Sequence, residues 1–360
     1  MVIEQYTITT TPKYNFPQPA IDTTLPKRFI ELSLHSLKHV QNQPIQLNQQ
    51  NFQQTNNIEI LNTVHFKPQP IALRPRHIPS IVAAVDTSSI KIGETSTGIL
   101  IAVRGANVWK ENRSYRYSRL GPFIFHITEE NKREVYATLQ RAYFSTSHEN
   151  NHQNFPNIIQ MPMRIASLLE RWLQTMLSKT ISKGLILFDG SLTSGIGDTP
   201  IQLMKEILST ARKRENTVLA FSKMTNLRLN GRLITDVLPE HRPPYLYEIS
   251  GLRTKPPILL LGDVYVARFS KEKYAFRLDI DREVAYQQRI EAVEKLLWNE
   301  SLSQSYPETL RLAHILCTFT ANEVIAMQHF AVRKCGFQII DRPDMHRLLF
   351  GPFGRGESYS

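Results

Sequence analysis

Three carboxylates in the chain have the residue type and setting for metal chemistry: Asp86, Glu170 and Asp189. Asp189 closes the apolar run Leu185–Phe188 within GLILFDGSLTSG, residues 184–195, which reads as a short buried strand bounded by turn residues. Gly190 and Ser191 follow at once. An acid at the carboxyl end of a core strand, with glycine leaving room beside it, presents an oxygen ligand to a cleft; the same Asp-Gly pair also starts ordinary turns. Asp86 repeats the arrangement after Ile81–Val85 in SIVAAVDTSS. Glu170 lies in MRIASLLERWLQTMLSKT, near the border of an apolar helix face, where it can point to a sheet instead of bulk water. Mg²⁺ and Mn²⁺ are hard cations that take clustered carboxylates rather than Cys or His. Two such ions about 3.5–4 Å apart activate water and stabilise the leaving oxygen of a phosphodiester. Three carboxylates in one cleft repel one another without cations, so the cluster is costly unless it has a use.

The elements that must position these acids follow a definite order. Residues 97–109 and 114–128 read as the second and third strands of an antiparallel meander that starts with 81–85 and carries Asp86 on its first strand. The helix over 163–180 follows, with Ile165, Leu168, Leu169, Trp172, Leu173, Met176 and Leu177 on one face. Then comes the Asp189 strand. Thr199 as N-cap and Pro200 in the first turn predict a helix to about Asn216. TVLAFSK, 217–223, reads as another buried strand; Lys223 at its end is placed to meet a phosphate or a carboxylate, or to be a plain surface lysine. A hairpin over 257–281 carries Asp279 and Asp281, either extra ligands or turn residues. Helices over 283–300 and 307–335 end the pattern, the second opened by Pro307 and broken inside. This order predicts an α/β fold: a ribonuclease H-like mixed sheet core flanked by helices, with an additional C-terminal helical part.

Composition narrows the function classes. The 360 residues are 41% apolar with mean hydropathy −0.28, as expected of a soluble globular chain. Forty-three basic against 32 acidic residues give +11 and a pI near 9.6, which favours a polyanionic partner. Ten Lys or Arg against five Asp or Glu fall between Lys205 and Lys255. Two cysteines, Cys317 and Cys335, without a CxxC pair, argue against a disulfide framework or zinc ribbon and fit a cytoplasmic protein. No signal peptide and no membrane span is visible. GxxxxGK[ST], HExxH and GxGxxG motifs are absent, and Ser191 lacks a GxSxG frame. Residues 1–57 read as an N-terminal extension, with a helix over 26–40 and a linker, 41–57, in which 12 of 17 residues are Gln or Asn. The catalytic-type body spans 58–345, and 346–360 form a tail.

Five segments together resemble the NurA nuclease family, the DNA-end-processing partner of the HerA ATPase. They are AAVDTSS around Asp86, LLERW around Glu170, LFDGSL around Asp189, AFSKMT around Lys223, and SYPETLRLAHIL with Tyr306 and His314, within roughly residues 75–335. The resemblance implies that Asp86, Glu170 and Asp189 are catalytic metal ligands for Mn²⁺ (or Mg²⁺), two ions per site. It implies that Tyr306 and His314 join the same cleft to orient the scissile phosphate or the attacking water. Read on residues alone, Tyr306 is a loop residue before a helix and His314 a packed histidine. Lys223, with Arg228 and Arg232 in the basic stretch, is expected to contact nucleic acid. The resemblance further implies a 5′→3′ exonuclease with single-strand endonuclease activity, used in DNA end resection for recombination repair. The implied partners are single- and double-stranded DNA ends, a second copy of the chain in a toroidal homodimer, and a HerA-like hexameric ATPase. One position departs from the family's VDGS: Thr87 follows Asp86, a bulkier residue than glycine that has the size to narrow the site but removes no ligand. Two alternatives keep the fold, namely a non-catalytic DNA clamp or adaptor and a transposase- or Argonaute-like endonuclease.

Overall fold

Successive side chains of a strand point to opposite faces of its sheet, so a strand that is apolar at every position needs cover on both sides. The central strands of this chain are of that kind. In the computed structural model the described residues are 4–7, 24–38, 44–46, 60–66, 69–144, 156–195, 200–223, 225, 227–229, 232–236, 239, 241–254, 256–272, 274–336 and 338–340. Most of the Gln/Asn-rich linker, the Thr199 cap and the tail 346–360 lie outside them.

The N-terminal elements are β1 (Glu4–Thr7), α1 (Thr24–Lys38), β2 (Pro44–Gln46) and β3 (Ile60–Phe66). The meander is β4 (Val82–Glu94), β5 (Gly98–Glu111) and β6 (Ser114–Thr128). Next come α2 (Lys132–Phe144), α3 (Met161–Thr180), β7 (Leu185–Asp189), α4 (Ile201–Lys213) and β8 (Thr217–Ser222). The chain continues with β9 (Tyr245–Thr254), β10 (Gly262–Arg268), β11 (Phe276–Asp281), α5 (Tyr286–Asn299), α6 (Glu308–Cys317), α7 (Ala321–Cys335) and β12 (Gln338–Ile340).

Five strands lie in the order β6-β5-β4-β7-β8. The meander strands pair antiparallel, and β4, β7 and β8 run parallel to one another. That order and sense make the core ribonuclease H-like. The sheet continues beyond β8 through β11, β10, β9 and β3, and β1 adds to the far edge on β6. One face places Ala83, Val85, Ile186, Phe188, Val218 and Ala220 in a cluster with apolar residues of α3 and α4. The other places Val82, Ala84, Leu185, Leu187, Leu219 and Phe221 against α5 and α6. Each fully buried Leu, Ile, Val or Phe contributes about 1.5–3 kcal/mol.

Two differences from the sequence pattern have physical reasons. The first strand does not stop at Asp86 but runs to Glu94, because residues beyond the end of β7 keep pairing with β5. Within the Gln/Asn-rich stretch, Pro44–Gln46 is a strand that pairs with β12 and touches β4 at Glu94. The expected N-terminal helix lays Phe29 on Phe123 and Phe125, with ring centroids 4.7 and 5.9 Å apart. Among the described residues no helix is long and apolar enough to cross a membrane.

Candidate active site

The register of two parallel strands sets the site. β4 and β7 pair through Ala84 with Leu187 and Val85 with Phe188. One step further stand Asp86 and Asp189, in phase with the apolar residues that face α6. Neighbouring strands are about 4.8 Å apart, so the two carboxylates project side by side. Gly190 then turns the chain away at φ +100°, a left-handed value that suits glycine. Its N–H donates to the Phe221 carbonyl (2.8 Å), and its carbonyl accepts from the Ser222 hydroxyl (2.8 Å). Lys223, one residue past β8, sets its ammonium 2.7 Å from Asp189 Oδ2. Arg228 and Arg232 belong to a pair of two-residue strands whose side chains lie outside the described set.

α6 delivers His314, whose Nδ1 is 2.7 Å from Asp86 Oδ2. The break between α6 and α7 fixes that helix. Arg104 of β5 donates to the Thr318 carbonyl (3.3 Å), pairs with Glu323 (2.8 Å) and stacks under Phe319 (4.4 Å). Arg119 of β6 reaches the same Glu323 oxygen (3.0 Å), and Glu323 completes a capping box with Thr320. Burial works against ionised Glu323, but hydrogen bonds from Arg104 and Thr320 and the Arg104 charge prevail, holding its pKa at about 2.

Tyr306 enters from a short hairpin, Leu302–Ser303 with Tyr306–Pro307. Its ring packs on Phe221 (6.1 Å) and Phe276 (5.2 Å). Its buried hydroxyl has no hydrogen-bond partner of good geometry among the described residues. Burial, then the charges of Asp189 and Asp86, push the phenol's pKa up. A neutral hydroxyl this close to two carboxylates is set to donate within the cleft, to Asp189 or to a bound oxygen.

Glu170 belongs to α3, on the opposite face, and approaches where β4–β7 pairing stops. It accepts from Gln174 (3.0 Å), and Arg171 lies 3.9 Å away. Burial pushes its carboxyl up to about 7; Arg171 opposes this, and repulsion from Asp86 and Asp189 adds to it. Burial also raises Asp189, against the pull of Lys223. The structure thus brings Asp86, Glu170, Asp189, Lys223, Tyr306 and His314 into one electrostatically coupled group. Thr87 does not narrow it: the hydroxyl turns to the Ala166 carbonyl of α3 (3.2 Å), while the Thr87 N–H donates to Asp86 Oδ1 (2.7 Å).

Asp279 and Asp281 are engaged elsewhere. Asp279 is fully buried, accepts two 2.7 Å bonds from Arg277 and takes the Leu192 N–H at 3.0 Å. Asp281 binds Arg212 and the Glu283 N–H.

Sequence reasoning missed Cys317. It lies three residues after His314 on the same side of α6, is fully buried, and bonds the His314 carbonyl at 3.2 Å. Among the described residues, Asp86, His314 and Cys317 form the group whose ligand atoms all lie within 4.8 Å of one another. The HxxC spacing on a helix was the available signal.

The group fits a divalent cation. Its acids offer hard oxygen donors, Glu170 is held near 7 by burial with repulsion from Asp86 and Asp189 adding to it, and the Lys223 ammonium already rests on Asp189 as a cation does.

Comparison with known proteins bears on the same stretch. Residues 80–229 match the NurA domain. No curated protein matches the chain. Among solved structures, the NurA nuclease from Sulfolobus solfataricus aligns at 15% identity over 74% of this chain and 88% of its own, with a TM-score of 0.45. An endonuclease V from Bacillus subtilis aligns at 12% identity over 73% and 86%, with a TM-score of 0.33. The matched domain begins just ahead of β4 and ends past Lys223, so it contains all three acids, while Tyr306 and His314 arrive from C-terminal elements. Through this stretch, somewhat under half of its length, the chain is similar to the NurA domain.

Proposed function

We propose that the protein is a divalent-metal-dependent DNA nuclease, a 5′→3′ exonuclease with single-strand endonuclease activity that acts in DNA end resection for recombination repair. The observation that carries this reading is the side-by-side placement of Asp86 and Asp189 on adjacent parallel strands, with Glu170 coupled to both. Polarity, endonuclease activity and the repair setting rest on the family. So do the homodimer, the HerA-like ATPase partner and a cytoplasmic place of action.

Asp86, Glu170 and Asp189 are the residues to hold Mn²⁺ or Mg²⁺, and such an ion supplies Lewis acidity to a phosphodiester and a lower pKa to water. The chain's own residues complete the chemistry. Lys223, now on Asp189, pairs with a non-bridging phosphate oxygen once DNA is bound. The Tyr306 hydroxyl donates to a phosphate oxygen. His314 is held through Nδ1 by Asp86, which leaves Nε2 of a half-exposed ring to exchange a proton with water or the leaving oxygen. The excess of eleven positive charges attracts the DNA backbone without reading its sequence.

Digestion of linear DNA in Mn²⁺ tests this, with wild type set against Asp189→Ala. The wild type is expected to shorten DNA from its 5′ ends and the variant to leave it whole. Intact DNA with the wild type, or cutting by the variant, sinks the catalytic reading; binding without cutting identifies a clamp or adaptor.

A further inference from the structure

The catalytic reading uses Asp86 as an oxygen ligand, yet the tightest cluster around that residue has a different character. Asp86, His314 and Cys317 offer one oxygen, one nitrogen and one sulfur, all within 4.8 Å of one another. His314 and Cys317 are three apart on α6, a spacing that sets two side chains on one helix face toward one point. The position of α6 is fixed at its carboxyl end by Arg104 and Glu323. Cys317 is fully buried, whereas the His314 side chain is 54% exposed, so an ion can enter from the histidine side. Mixed imidazole, thiolate and carboxylate donors suit Zn²⁺ and its thiophilic relatives, whereas Mg²⁺ and Mn²⁺ want oxygen alone. Three protein ligands with one open position is an arrangement zinc commonly accepts.

We propose that Asp86, His314 and Cys317 form a second metal site, selective for Zn²⁺ or Cd²⁺. Occupation competes with the oxygen-ligand site, because both draw on the Asp86 carboxylate. Coordination separates the Asp86–His314 hydrogen bond and releases the thiol proton to solvent; no electrons change hands. The functional consequence rests on the proposed nuclease reading: zinc takes Asp86 away and blocks Mn²⁺-supported cleavage.

Zinc binding is measured on full-length, metal-stripped protein without DNA, by competition with a chromophoric chelator. One Zn²⁺ per chain is expected, and Cys317→Ser is expected to weaken it by about 100-fold. Cys335→Ser, which changes a buried cysteine outside the cluster, is expected to leave it unaltered. Cd²⁺ should give a thiolate-to-metal charge-transfer band in wild type and Cys335→Ser but not in Cys317→Ser. X-ray absorption at the zinc edge of the wild type needs no variant: one sulfur at about 2.3 Å is expected. A shell of oxygen and nitrogen alone, or equal affinity in Cys317→Ser, overturns the site. Because these readouts omit DNA, loss of the zinc site and absence of nuclease activity are told apart.

Discussion

Glu170 shows how much one side chain can carry. Its pKa of about 7 means that between pH 4.5 and 7 the folded chain holds a proton that the unfolded chain has released. Stability therefore falls as pH rises through that window, by about 1.4 kcal/mol per unit, and the loss persists above it. Glu170→Gln removes the effect. In chelator at pH 8 the variant should be more stable than wild type by up to ~3 kcal/mol, and near pH 4.5 the two should coincide, as read by urea unfolding. A variant that is less stable at pH 8 refutes this account of the acid group. Added Mn²⁺ should reverse the order, since an ion that binds only the folded state stabilises it by mass action. Asp189→Ala should lower cleavage by roughly 10³-fold, equivalent to ~4 kcal/mol of barrier, in single-turnover assays.

At the level of elements, the turn after β7 depends on a residue outside the cleft. Asp279 of β11 holds the Leu192 N–H and neutralises Arg277. Asp279→Ala strands a buried guanidinium, and an expected loss of about 3–5 kcal/mol follows. Mn²⁺ affinity of the folded variant, measured by calorimetry, should stay near that of wild type; a large drop would make Asp279 a ligand after all. The joint between α1 and the meander has its own pH dependence. His126 of β6 is 1% exposed, its ring Nε2 lies 2.9 Å from the Thr95 hydroxyl, and its backbone N–H donates to the Ser36 hydroxyl of α1. Burial lowers its pKa to about 4. The unfolded chain takes up the proton near pH 6.5 and the folded one does not, so stability is full above 6.5 and drains as pH falls toward 4. From pH 7 to 5 the loss should be about 2 kcal/mol, and His126→Gln should flatten that slope.

For the whole molecule, charge and sheet extension matter together. The net charge of +11 is a property of the full surface, and it predicts strong salt dependence. If about six phosphates are neutralised, affinity for linear DNA should fall roughly 10³-fold between 50 and 200 mM salt, as read by fluorescence anisotropy in chelator. A flat salt response would remove the electrostatic part of the nuclease reading. The sheet runs well past the five core strands, through β11, β10, β9 and β3, and Tyr306 enters the site from the segment that follows. The site is thus assembled from both halves of the chain.

Much of this was legible without coordinates. Apolar runs ending on Asp86 and Asp189 marked two strands, and the helical stripe around Glu170 marked α3, because local periodicity and strand-end chemistry are written in neighbouring residues. Neighbouring residues thus carried the order of elements and the acids on them. The tertiary structure decided the register that puts Asp86 beside Asp189, the engagement of Asp279 by Arg277, and the turning of Thr87 toward α3. It also decided that His314 and Cys317 meet Asp86 from 228 residues away in the case of the histidine. Such contacts arise from the packing of α6 on the sheet, and long-range packing leaves no periodic trace in the segments that it joins.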